Sequence, residues 1–378
     1  MKYFDYAASA PLYPEVLVEL TKSFAEDFAN PNAIHSLGYD LFEKIESHRA
    51  SFLKNLGAKA SDKFYFLSSA TEANNTVIKG LKINVDDIIF YSPADHPSVV
   101  VPVESLGAKH ESFKILDNGL IDEEDFTERL KNHPATKLVV LTLVNNQSGM
   151  IQDVLKLAEL TKKYSSAHVH IDAVQGLGKI PFKLSSHIDS VSVTSHKIGG
   201  PKGVAGLYLK SSHKVNPLII GGGQEEGFRS STVAYPLIAA FHLASMISLK
   251  NLEINLQKNN AIKEEVTNKL KSLHEEIIFP FQERSSGHIL MFIVPGISSD
   301  ILIRHLEREK IYLSSTSACS SRISGFNPTL MAMNIEEKFH KNVIRLSLGV
   351  PTTKEEGLLF VDKFSEIYHN IKKIQKKK

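Results

Sequence analysis

Short runs of β-branched and aromatic residues alternate along this chain with segments whose apolar positions recur every three or four residues. The runs at 63–67, 88–91, 137–144, 169–171, 190–194 and 206–209 predict strands. Between them, Leu41, Ile45, His48, Phe52 and Leu56 fall on one helical face, and Gly57 is placed as a C-cap. Val154, Leu157, Ala158, Leu160 and Thr161 repeat the pattern. Strand–helix–strand repetition of this kind predicts a mostly parallel sheet covered by helices on both faces. In such sheets ligands bind at the carboxyl ends of the strands.

The pattern changes near residue 250. A long helical periodicity covers 249–273, with Leu252, Leu256, Val266 and Leu270 among its apolar positions. A strand at 288–294, a helix at 300–309, strands at 312–315 and 343–348 and a final helix follow. Thr353 and Glu356 are spaced as a capping box at the start of that helix. The expectation is an α/β fold in two parts. A large domain over 13–250 carries a mostly parallel mixed sheet sandwiched by helices, and a smaller α+β domain covers 251–378. Residues 1–12 fit against either part.

Composition narrows the function classes. The chain has 378 residues, 42% of them hydrophobic, which excludes wholesale disorder. Its 44 basic and 42 acidic residues leave no strong field for a nucleic acid or a membrane. The basic run at Lys372, Lys373, Lys376, Lys377 and Lys378 reads as a solvated helix end. One cysteine, Cys319, excludes an intrachain disulfide and an all-cysteine metal cage within one subunit. Asp5 and two prolines stand where a signal peptide needs an apolar stretch, and no apolar run is long enough to span a bilayer. A cytoplasmic protein is expected.

Four segments carry candidate chemistry. In Ser195-His196-Lys197, followed by Ile198-Gly199-Gly200-Pro201-Lys202-Gly203, a lysine stands at a strand's carboxyl end before a glycine-rich turn, where a Schiff-base lysine would be placed. In His170-Ile171-Asp172-Ala173-Val174-Gln175, Asp172 closes a buried strand and needs a cationic partner, such as a pyridinium nitrogen. In Leu67-Ser68-Ser69-Ala70-Thr71-Glu72, a strand enters a helix through small hydroxyl residues, which suits a phosphate. In Ala94-Asp95-His96-Pro97, a histidine that can stack on a ring and move protons follows a strand. Taken singly, a loop lysine, a turn-capping aspartate, an N-cap and a structural histidine explain them as well. Taken in order, they describe pyridoxal phosphate.

With these motifs in view the sequence resembles the cysteine desulfurases, in the class V aminotransferase group of fold-type I pyridoxal-phosphate enzymes. The resemblance runs nearly end to end. It takes in Phe4-Asp5-Tyr6-Ala7-Ala8, Asn30-Pro31-Asn32, Val144-Asn145-Asn146, Gly221-Gly222-Gly223-Gln224-Glu225, Arg229-Ser230-Ser231-Thr232, Ser314-Ser315-Thr316-Ser317-Ala318-Cys319 and Arg345-Leu346-Ser347-Leu348-Gly349. It implies that Lys197 is the Schiff-base lysine, Asp172 the pyridinium partner and His96 the stacking residue and proton shuttle. Asn146 and Gln175 would contact the ring's phenolic oxygen, and Asn146 the substrate as well. Ala70, Thr71, Thr194 and His196 would hold the phosphate. Thr232 would reach the phosphate of a neighbouring subunit, implying a homodimer with shared active sites. Arg345 would clamp the carboxylate of L-cysteine, a role that suits a guanidinium. Cys319 would take the substrate sulfur as a persulfide and pass it to an acceptor protein, an iron–sulfur scaffold or a thiolation carrier.

The small polar neighbours of Cys319 differ from the setting of a buried structural cysteine. Ser195, Glu226, Ser231 and Val350 depart from the family's commonest pattern, beside the chemistry rather than in it. His168 and His170 alternate on a strand without an evident third ligand, so no metal site is expected. An aminotransferase or a selenocysteine lyase of the same group is the alternative activity.

Overall fold

The computed structural model describes residues 1–315 and 327–376. Its first strands in chain order are β1 (Lys2–Tyr3), β2 (Lys63–Leu67), β3 (Ile88–Tyr91), β4 (Lys109–Ser112), β5 (Leu138–Thr142), β6 (His168–Asp172), β7 (Ser190–Thr194) and β8 (Ala205–Leu209). The last seven form one sheet in the order β2-β8-β7-β6-β5-β3-β4. The neighbours from β7 to β4 run parallel, and β8 is antiparallel to both β2 and β7. This is the mixed, mostly parallel sheet that the strand–helix alternation predicts.

Strand β6 shows how the sheet divides its faces. Side chains alternate along a strand. Val169 and Ile171 join the large apolar cluster on one face, with Val191 and Val193 of β7, Phe64, Phe66, Leu41, Ile45 and Phe52. The alternate positions His168, His170 and Asp172 point to the other face, in register with Leu138, Val140 and Thr142 of β5. There the helix Ala70–Gly80 packs, adding Ile78 to a cluster with Ile89, Leu138 and Val140. A row of buried polar groups therefore lies beneath one helix, and such groups persist only when hydrogen-bonded.

The helix Ser36–Leu56 ends at Gly57, whose φ of 77° is the left-handed conformation that its C-cap position demands. The helix expected over 249–273 is present as Leu252–Leu273, and a separate helix, Tyr235–Lys250, precedes it. Tyr235–Lys250 and Leu252–Leu273 meet at a bend of 67°. Asn251 causes the break: its backbone N–H and its Nδ2 both donate to Ile247 O, which satisfies the first helix's end and stops it. Among the described residues no single helix is long and apolar enough to cross a membrane.

The later strands are β9 (Ile289–Ile293), β10 (Ile311–Tyr312), β11 (Ser314–Ser315) and β12 (Val343–Ser347). β12 sits between β11 and β9, antiparallel to both. The strand expected at 312–315 is in fact two pieces in different sheets, because β10 pairs with β1 and β11 with β12. A second apolar cluster joins these strands to the helices Leu252–Leu273, Ser299–Arg308 and Lys354–Gln375. The capping box of Thr353 and Glu356 is formed. The N-terminal segment touches both clusters' territory. Phe4 is buried in the second cluster, while Ala10 N–H and Tyr13 N–H donate to His196 O and Gly199 O, both at 2.9 Å.

Candidate active site

The site forms where the carboxyl ends of β6 and β7 meet the N-terminal segment. Asp172 is the last residue of β6 and is buried. Its Oδ1 accepts from Val174 N–H at 3.0 Å and its Oδ2 from Asn74 Nδ2 at 2.9 Å. Two lone-pair directions remain for a cation in front of it. Lys197 follows β7 by three residues, and its Nζ donates to Ala7 O and Ala8 O, each at 2.7 Å. Gln175 Nε2 reaches the same Ala7 carbonyl at 2.8 Å, so the N-terminal segment draws Lys197 and Gln175 together. Gln175 Oε1 accepts from Lys179 Nζ at 2.8 Å. Burial drives Lys179 well below the usual ammonium value, with the Lys197 and Arg345 charges adding to the shift.

His96 is the N-cap of the helix Pro97–Ser105. Its Nδ1 lies 2.8 Å from Ser98 Oγ and accepts from Ser98 N–H at 3.1 Å. An Nδ1 that accepts is unprotonated, so neutral His96 carries its proton on Nε2. Burial lowers the His96 imidazole below its ordinary value; the Asp172 carboxylate opposes that shift and the Lys197 charge adds to it. The histidine thus feels both groups that flank the expected ring.

The start of the helix Ala70–Gly80 supplies the phosphate end. Ser69 Oγ caps Glu72 N–H at 3.1 Å, and the amides of Ala70 and Thr71 belong to the first turn, which lacks intrahelical acceptors. Thr71 is exposed there. Arg229 holds Glu72 at 2.8 Å, which keeps that carboxylate from opposing an anion. Thr194 is buried at the end of β7. His196 Nδ1 stands 3.4 Å from Ser9 Oγ, and burial, with Lys197, Lys179 and Lys202 nearby, takes the ring down to about 4. Arg345 on β12 donates to Asn146 O at 3.0 Å and pairs with Asp5 at 2.7 Å. Its Nε is buried with no hydrogen-bond partner among the described residues.

Amine, carboxylate, flat imidazole and helix-start amides match the aldehyde, ring nitrogen, ring face and phosphate of pyridoxal phosphate. The residues present fit the group. Thr232 is the exception within one protomer: it is exposed in a separate surface cavity with Ser68, Gly203 and Arg229. Cys319 lies outside the described residues. Sequence reasoning gave no role to Asn74, Ser98 or Asp5. The spacing of His168 and His170 did signal a shared face, but not that Asp172 joins it or what that face would touch.

Comparison with known proteins agrees with this geometry. The model of the family Aminotransferase class-V matches residues 2–360. The chain is 34% identical, over 99% of both proteins, to a NifS/IcsS protein homolog of Lactobacillus delbrueckii subsp. bulgaricus. It is 30% identical to the cysteine desulfurase IscS of Dictyoglomus turgidum, over 98% of this chain and 95% of that one. Among solved structures, a NifS-like protein from Rickettsia africae is similar, with a TM-score of 0.89, 30% identity and coverage of 98% and 99%. Another, described as SspA in complex with cysteine, has a TM-score of 0.79 at 26% identity and covers 92% of this chain and 99% of that one. With the cofactor's donor set in place and the family model matched along almost its whole length, this chain belongs to the class V aminotransferase family of pyridoxal-phosphate enzymes.

Proposed function

We propose that the chain is a cysteine desulfurase that moves the sulfur of L-cysteine onto Cys319 and then to an acceptor protein. The observation that carries the reading is the convergence of Lys197, Gln175, Asp172 and His96 with Arg345, whose guanidinium is oriented by Asp5 and Asn146 O. The relatives named cysteine desulfurase and the neighbour described with cysteine support the same substrate.

Pyridoxal phosphate, when bound, captures the substrate amine and draws electrons from its Cα. Arg345 holds the substrate carboxylate, oriented by Asp5 and Asn146 O. Lys197, displaced by the substrate, accepts the Cα proton at Nζ. His96 offers its Nε2 proton beside the substrate thiol. The Cys319 thiolate forms an S–S bond as the substrate Cβ–S bond breaks; the electron pair stays with the carbon skeleton, which takes up protons and leaves as alanine.

A homodimer completes the reading. Leu17, Val18, Phe24, Phe28, Ile34, Leu37, Tyr39 and Phe42 are all exposed on the first two helices and the turn between them. An apolar surface of this extent suits a second copy of the chain. Thr232, away from Lys197 within one protomer, would then serve the neighbouring site.

The deciding experiment supplies L-cysteine and measures alanine together with thiol-reactive labelling of the persulfide. Equal alanine and persulfide, with the label on Cys319 and none in Cys319→Ser, is expected. Amino transfer to a keto acid without sulfur release would replace this reading with an aminotransferase.

A further inference from the structure

The polar face of β6 holds a continuous string of hydrogen bonds. His213 Nδ1 lies 3.2 Å from His168 Nδ1, and His168 Nε2 lies 2.7 Å from Ser190 Oγ. Ser190 Oγ lies 2.7 Å from His170 Nδ1, and His170 Nε2 lies 3.0 Å from Asn74 Oδ1. Asn74 Nδ2 then reaches Asp172 Oδ2 and Ser98 Oγ, each at 2.9 Å. His168, Ser190, His170 and Asn74 are all at most 4% exposed, and Ser192 Oγ lies 3.3 Å from His170 Nε2 as a side contact. The string follows β6 from its first residue to its last, roughly 13 Å at the rise of an extended strand.

The direction of every bond is fixed from the Asp172 end. A carboxylate only accepts, so Asn74 must turn its NH2 toward Asp172 and its carbonyl toward His170. That carbonyl requires a proton on His170 Nε2. Burial takes His170 and His168 to about 3, so both rings are neutral. His170 Nδ1 therefore accepts from the Ser190 hydroxyl. Ser190 Oγ in turn accepts from His168 Nε2, and His168 Nδ1 accepts from His213 Nδ1. At the far end, His213 Nε2 lies 2.8 Å from Asp189 Oδ1.

The groups facing His213 are His168, Asp189 and, through Asp189, Lys162 at 2.5 Å and Lys210 at 3.7 Å. His168, Asp189 and His213 have the spacing of a metal cluster, but the two lysines already neutralise the carboxylate. The hydrogen-bond reading uses every one of these contacts.

We propose that His213, His168, Ser190, His170 and Asn74 form a one-way relay that positions the Asp172 carboxylate and supports the tautomer of His96, with its polarity set at Asp172 and carried out along the strand to His213. Asn74 is the branch point: one amide group orients the carboxylate that faces the cofactor ring and, through Ser98, the histidine that stacks on it. All five act as positioning residues. A half-buried histidine at the outer end of the strand is thereby tied through the sheet to the site. The inference rests on Asp172 facing the pyridine nitrogen, and it requires no particular substrate.

The test uses the holoenzyme labelled with 15N-histidine. Long-range proton–nitrogen spectra should show His168 and His170 neutral and protonated on Nε2, and His213 protonated on Nδ1. The His170 signals should shift in His213→Gln, a substitution at a half-buried position. Ser190→Ala, which cuts the string two residues from Asp172, should weaken pyridoxal-phosphate affinity by about 10-fold, the worth of one buried hydrogen bond. It should also shift the pH profile of the cofactor's visible band. A proton on His170 Nδ1, a His170 signal indifferent to His213, or unchanged affinity and spectrum in Ser190→Ala would each overturn the relay. None of these readouts needs cysteine turnover, so a failed relay and a failed desulfurase assignment are told apart.

Discussion

Arg345 Nη2 lies 2.7 Å from Asp5 Oδ1, joining residues 340 positions apart in the chain. The pair is mostly buried, so Asp5 both balances the guanidinium and aims it. Removing Asp5 leaves a buried cation with less compensation. Asp5→Ala should cost about 2 kcal/mol in denaturant unfolding. Arg345→Lys keeps the charge but loses the planar fork, and should raise the KM for L-cysteine about 10-fold with a smaller effect on kcat. An unchanged KM would remove Arg345 from carboxylate binding.

Lys197 is held by two backbone carbonyls of the N-terminal segment. Lys197→Ala should abolish the visible absorption band of the Schiff base and reduce turnover by about 1,000-fold, the scale of losing a positioned base. Absorption spectra of the purified variant with added pyridoxal phosphate check this directly.

His96 is neutral near pH 7 because burial lowers its proton affinity. Protonation occupies Nδ1, which accepts from Ser98 N–H, and so breaks the helix cap. Activity should therefore fall on the acid side, below the ordinary histidine range, and stay level above it. His96→Gln should lower kcat by about 100-fold and remove that acid limb from the pH profile.

His168 and His170 give the fold an acid weakness. Their folded values are both about 3, far below the unfolded value, so the unfolded chain takes up protons first as pH falls. Stability is complete above the unfolded histidine value and is lost as pH drops toward 3. Between pH 7 and pH 5 the loss should be about 2 kcal/mol for each histidine. Denaturant midpoints at the two pH values measure it, and His168→Gln should flatten the slope.

Ser195 and Gly200 test a departure from the family pattern. Ser195 Oγ is buried without a hydrogen-bond partner among the described residues. A Cβ on Gly200 would stand 2.0 Å from that oxygen. Ser195→Ala should raise stability by about 1 kcal/mol, since it removes an unsatisfied buried hydroxyl. Gly200→Ala should lower the melting temperature, and restoring space with Ser195→Gly should rescue it.

The sequence by itself determined whatever depends on local spacing. Alternation from His168 to His170 places two histidines on one face whatever lies opposite, because a strand's side chains alternate. The interval from Thr353 to Glu356 specifies a capping box, and Gly57 a helix end, because both act within one turn. The order of the Thr71, His96, Asp172 and Lys197 motifs also pointed to one cofactor. Tertiary structure decided the rest. Asn74 meets His170 and Asp172 only when its helix packs across the sheet, and Asp5 meets Arg345 only when the chain's two ends pair. Asn251 ends one helix before the next begins at Leu252, a boundary that periodicity placed at 249 because apolar spacing is blind to which carbonyl a side chain will satisfy. Hydrogen bonds between distant residues depend on packing angles and registers that no local pattern encodes, and in this protein those bonds orient the groups that the motifs supply.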